Sequence, residues 1–63
     1  MFARRVVSRI QFKAEYREEF LRHAHDLDGR WRKRAQIWSF PVSSWHKLKR
    51  IVKEVYGEDL ELR

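Results

Sequence analysis

Gly29-Arg30-Trp31-Arg32-Lys33-Arg34-Ala35-Gln36-Ile37-Trp38-Ser39-Phe40-Pro41 is the densest part of the chain, with three aromatic rings and four cations in thirteen residues. Two short strands around a tight turn near Lys33–Gln36 account for it. With Trp31 opposite Trp38, these two rings and Phe40 share one face. Arg30, Arg32, Ile37 and Ser39 then share the other, as period-two alternation requires. The turn lacks Asn-Gly or Asp-Gly, so its chemistry contributes little to the register. Pro41 stops the second strand, having no N–H for a ladder.

Upstream, Arg4 to Lys13 also alternates. Val6, Ser8, Ile10 and Phe12 fall on one side, and Arg5, Val7, Arg9, Gln11 and Lys13 on the other. This predicts one half-buried strand with a basic outer face. Tyr16, Phe20, Ala24 and Leu27 then recur at helical spacing, with Leu21 beside them and Glu18 four residues before Arg22. Asp28-Gly29 ends that helix, glycine accepting the left-handed conformation found just past helix ends. Downstream, Ser43 or Ser44 is placed to cap a second helix. Its apolar stripe is Trp45, Leu48, Ile51, Val52 and Val55, and Gly57 closes it. Asp59-Leu60-Glu61-Leu62 alternates as a last strand. The expected order is β-α-β-β-α-β, an α+β fold with a small antiparallel or mixed sheet and both helices packed on one face.

Composition narrows the function classes. Sixty-three residues make one domain, residues 1–63, near the lower size limit for a self-sufficient core. With no cysteine there is neither a disulfide staple nor a thiolate metal site. At 43% hydrophobic and 14% aromatic residues, the chain is too apolar to stay disordered. Apolar runs are too short for a membrane span, and charge interrupts any signal-peptide core at the N-terminus. An intracellular, cytoplasmic protein is expected, and Met1 with a clean final strand favours a complete chain.

Charge is segregated. Residues 1–13 hold Arg4, Arg5, Arg9 and Lys13 and no acid, whereas residues 14–28 net −3. Residues 29–53 carry Arg30, Arg32, Lys33, Arg34, Lys47, Lys49, Arg50 and Lys53 with no acid, and residues 54–63 again net −3. The total is +6 and the pI about 10.3. Solvated surfaces ordinarily mix their signs. Like charges crowded on a small sheet repel one another, and a counter-charge relieves that repulsion, so a polyanionic partner is expected.

The segment from Tyr16 to Leu48 resembles the HARP domain, a small module of annealing helicases, and its stand-alone phage and bacterial relatives. The resemblance is carried by Tyr16, Gly29, Trp31, Lys33–Arg34, Trp38-Ser39-Phe40-Pro41 and Leu48, about half the chain. Relatives often carry an acidic residue followed by Pro where Arg32 stands; here the turn is wholly basic. The resemblance implies binding to structured or branched DNA, such as junctions between single and double strands, with no catalysis in the module itself.

The expected nucleic-acid-binding residues are Arg5, Arg9, Lys13, Arg30, Trp31, Arg32, Lys33, Arg34, Lys47 and Arg50. Arg9, Arg30, Arg32 and Arg34 are the principal phosphate contacts, since Arg offers planar paired donors. Lys13, Lys33, Lys47 and Arg50 support them, although Lys47 and Arg50 fit equally the wet side of an amphipathic helix. Trp31, flanked by arginines, is the candidate stacking platform; the other aromatics belong to the core. His23 and His25, two apart on a helix, diverge, so no metal is expected. No phosphate loop or catalytic triad is present, and neither an enzyme nor a cofactor is expected. DNA is the leading partner and a membrane is not one. The alternative is a protein-interaction module that docks on an acidic protein or helicase, or homodimerises, through an apolar patch with Val7 and Ile37.

Overall fold

Trp31 does stand opposite Trp38, and Arg30 and Arg32 stand opposite Ser39 and Ile37. The computed structural model describes all 63 residues, Met1–Arg63. Around this hairpin the chain forms β1 (Phe2–Val6), β2 (Arg9–Lys13), α1 (Glu18–Asp26), β3 (Arg30–Arg32) and β4 (Ile37–Pro41). A single 3-10 turn (Val42–Ser44), α2 (Trp45–Tyr56) and β5 (Glu61–Leu62) follow. The five strands make one mixed sheet in the order β3-β4-β2-β1-β5, parallel only between β1 and β5. Both helices cover one face and the other is open. The fold is a small α+β fold.

The N-terminal strand differs from expectation. Residues 2–13 fold as a two-strand hairpin that closes at Val6 and Arg9, so the order is β-β-α-β-β-α-β. Its two-residue turn is Val7-Ser8, with Val7 at φ 58°. Neither residue advertises a turn, and a β-branched side chain rarely adopts positive φ. The antiparallel register pairs Ala3 with Phe12 and Arg4 with Gln11, so even positions of β1 share a face with odd positions of β2.

Phe20 is the hub of the core. Its ring lies edge-on to Phe12, Trp38, Phe40 and Tyr56, with centroids 5.2 to 6.2 Å apart. Ala3 and Ile10 from the sheet, Ala24 from α1, Leu27 just after it, Leu48, Val52 and Val55 from α2, and Leu60 before β5 complete it. Each large side chain buried here is worth about 1.5–3 kcal/mol. The indole N–H of Trp38 is buried without a hydrogen-bond partner.

The helix ends revise three expectations. Tyr16 lies outside α1, which starts at Glu18. At its C-terminus the left-handed residue is Asp28, φ 61°, and not Gly29. Asp28 N–H bonds to His25 O and Gly29 N–H to Ala24 O, the two bonds of a Schellman turn. Gly29 is needed for another reason: a Cβ there would stand 2.5 Å from the Phe40 ring. Ser44 precedes α2 but makes no cap bond, its hydroxyl reaching Leu27 O at 3.4 Å. Gly57 does close α2, at φ 70°. Glu18 and Arg22 form no ion pair; the acid pairs of the fold are Glu58 with the N-terminus, Glu15 with Arg17 and Asp59 with Lys53.

Candidate nucleic-acid interface

Alternation in the four longer strands decides what the open face shows. On β2, Ile10 and Phe12 are buried, so Arg9, Gln11 and Lys13 point outward. Ala3 is buried on β1, so Phe2, Arg4 and Val6 point outward. Trp38 and Phe40 turn Ile37, Ser39 and Pro41 outward on β4, and β3 adds Arg30 and Arg32. Register sets these into rows. One runs Arg30–Ser39–Gln11–Arg4 and the next Arg32–Ile37–Lys13. Arg30 and Arg4 thus stand three strand spacings apart, about 14 Å. The hairpin turn beside this surface carries Lys33 and Arg34, both exposed.

The cations of this face are uncommitted to carboxylates. Among the fifteen Lys and Arg side chains, only Arg17 and Lys53 pair with one, at 3.7 and 3.6 Å. On the open face Glu61, at the β5 edge, is the one acid. Nearby, the Arg63 guanidinium lies 3.8 Å from the Phe2 ring centroid, over a side chain that remains half exposed.

Arg9 is different from its neighbours. Its Nε donates to Ser39 Oγ at 2.7 Å, and its Nη2 to Ser39 O at 2.9 Å and Asp28 O at 3.3 Å. Two of its three nitrogens therefore bind protein, and the covered Ser39 is buried although it faces outward.

Of the expected residues, Arg9, Lys13, Arg30, Arg32, Lys33 and Arg34 come together on the open face and its turn. Arg5 does not: it pairs with Ile10 and points to the helix side, its Nε donating to Val7 O at 3.0 Å. Arg4 occupies the place assigned to Arg5. Lys47 and Arg50 are exposed on α2, in the layer on the opposite side of the sheet. Trp31 also faces the helix side, half buried between Tyr16 and Trp38, with ring centroids 5.9 and 5.0 Å away. It stands on the edge strand, beside the basic face but not on it. Val7 and Ile37 do not form one patch: Val7 is at the β1–β2 tip, beyond Arg9, and Ile37 pairs with Lys13 at the other end of β2.

Sequence reasoning missed Arg4, Phe2 and Arg63 because it did not see the first hairpin or the parallel seat of β5. A signal was available for Arg4: the two vicinal arginines must straddle a strand, so one faces outward in any register.

Tyr56 has a perturbed proton equilibrium. Burial pushes its hydroxyl above the ordinary phenol range, Arg17 pulling it back and Glu15 adding to the rise. The hydroxyl donates to Glu15 O, tying the loop before α1 to the end of α2. Tyr56 lies in the helix layer, under the Arg17 guanidinium at 4.9 Å from its ring centroid and away from the cations of the open face.

No three His, Asp or Glu side chains are grouped to hold a metal ion, and no helix is long and apolar enough to cross a membrane. No protein-family model, no curated protein and no solved structure matches the chain.

Proposed function

We propose that this chain is a non-enzymatic DNA-binding module that grips phosphates with the open face of its sheet and the β3–β4 turn. The observation that carries the reading is the assembly of Arg4, Lys13, Arg30 and Arg32 on one surface, with Lys33 and Arg34 on the adjoining turn, from three separated stretches of sequence and with no carboxylate paired to any of them. Arginine there offers planar, two-pronged donors to phosphate oxygens, and lysine a mobile point charge. Arg9, braced by Ser39, supplies a fixed positive centre between the strands. Phosphate contacts carry no base information directly, so recognition is of backbone and shape. The resemblance of Tyr16–Leu48 to the HARP domain, a module of annealing helicases, supports forked or junction DNA as the target.

The test is a fluorescence titration over a salt series with plain and forked duplexes. Neutralising about 4–6 phosphates gives a log K against log salt slope of roughly −4 to −5. The triple variant Arg30→Ala/Arg32→Ala/Arg34→Ala should lose most of the affinity, and Lys47→Ala/Arg50→Ala little, because those two stand on the other layer. Binding indifferent to salt, or undiminished in the triple variant, removes the proposal. The rival reading, a protein-interaction module, predicts one acidic partner or a second copy retained in a pull-down after nuclease treatment. The exposed large apolar side chains are Phe2, Val6, Val7, Tyr16 and Leu62. Where Phe2 and Ile37 come together on the open face, Arg4, Gln11 and Lys13 line the same concavity, so the apolar surface is broken by cations and gives that reading less support.

A further inference from the structure

Beside the basic face, at the outer edge of β3, Tyr16, Trp31, Lys33 and Gln36 line an open concavity of about 520 Å³. Its composition is unlike that of the open face. Two aromatic rings form the wall, with centroids 5.9 Å apart and planes inclined at 53°. Trp31 is backed by Trp38, with centroids 5.0 Å apart, and Tyr16 is 48% exposed. Lys33 brings an ammonium, and Gln36 an amide that both donates and accepts. No carboxylate lines it.

We infer that this concavity takes one unpaired nucleobase from a single strand leaving a duplex. The inference rests on the DNA-binding reading and adds a site on the opposite side of the edge strand. Three observations support it. Every base has a π-face, and stacking on aromatic side chains is how unpaired bases are commonly held. The charge fits, since Lys33 stands where the backbone of that nucleotide would pass. The placement fits as well: Arg32 faces the open side and Trp31, the next residue back, faces the concavity, so a strand crossing the β3 edge at the turn passes from phosphate-binding cations to stacking rings. A paired base inside a duplex cannot present its face in this way. The site therefore discriminates forked from blunt DNA, which phosphate contacts alone would not do.

The experiment uses the full chain with a blunt duplex and a fork that carries 2-aminopurine as the first unpaired nucleotide. The expected result is a fluorescence change on binding the fork and a clear preference for fork over blunt duplex. Tyr16→Ala should lower fork affinity about tenfold, within the range for loss of one stacked base. It should leave blunt-duplex affinity and the salt slope unchanged, and Tyr16→Phe should retain fork preference. Unaltered 2-aminopurine fluorescence in the wild-type complex, or equal losses on fork and duplex in Tyr16→Ala, overturns the inference. The first of these readouts needs no variant to fold. A wild-type chain that binds neither DNA defeats the DNA-binding reading itself, whereas one that binds both equally with a steep salt slope defeats only the base site.

Discussion

The Arg9 guanidinium and the Ser39 hydroxyl meet at 2.7 Å across two neighbouring strands, thirty residues apart in sequence. The same side chain reaches Asp28 O, where α1 turns into β3. One arginine thus ties β2, β4 and the end of α1 together. Lysine has one nitrogen and cannot reproduce a fork of donors. Arg9→Lys should keep the charge of the face yet lower stability by about 1.5–3 kcal/mol, the range for a hydrogen bond to a charged group. Urea unfolding would show a lower midpoint with an unchanged slope, and an unchanged midpoint would show that these bonds contribute nothing net.

Arg4 and Arg5 are adjacent in sequence and face opposite sides of the sheet. If the open face binds phosphate, Arg4→Ala should weaken DNA binding and make the salt slope shallower by about 1, the loss of one released counterion. Arg5→Ala changes net charge equally and should leave the slope nearly intact. Equal effects of the two substitutions would mean that net charge, and not the arrangement on one face, governs binding.

The comparison of those two residues also explains what could be read from sequence. The Trp31–Trp38 register, the one-sided helices, the apolar stripe of α2 and the Gly57 cap were all legible, because aromatic spacing and helical period are local signals. The first hairpin was not. A two-residue turn of Val7 and Ser8 continues the alternation without interruption, so β1 and β2 read as one strand. Unfolding that hairpin into a strand reverses the parity of every β1 side chain, which is why Arg5 was expected where Arg4 stands. Gly29 was placed correctly but for a different cause, since only the fold brings the Phe40 ring against it. The Arg9 clamp and the Tyr16–Trp31 wall join residues 15 or more positions apart, and no local pattern announces either.

Val7 itself is a weak point of the fold. It holds φ 58° at the hairpin tip with 86% of its surface exposed, so its side chain gains little from packing. Left-handed backbone costs a residue with a Cβ roughly 1–2 kcal/mol, more for a branched one. Val7→Gly should therefore stabilise the protein by about 1 kcal/mol after the entropy of glycine is counted. For a domain of this size that is a rise in Tm of about 4–8 °C by calorimetry. A fall in Tm would mean that the turn is not strained at this residue.

Tyr56 sets a limit at alkaline pH. Its hydroxyl is raised above the ordinary value of 10.0, chiefly by burial, so the folded chain holds this proton more tightly than the unfolded chain does. For an acid that is neutral when protonated, the sign follows directly. Above pH 10 the unfolded state loses the proton first, binds fewer protons than the native state, and is favoured as pH rises. The contribution is fully present below the unfolded value and is lost between it and the higher folded value. Tyr56→Phe removes the group that titrates along with its bond to Glu15 O, so the variant should be less stable at neutral pH and yet lose less stability above pH 10. Paired urea titrations across that interval measure the difference. Parallel losses in the two proteins would leave the half-buried Tyr56 phenol without a part in the alkaline sensitivity.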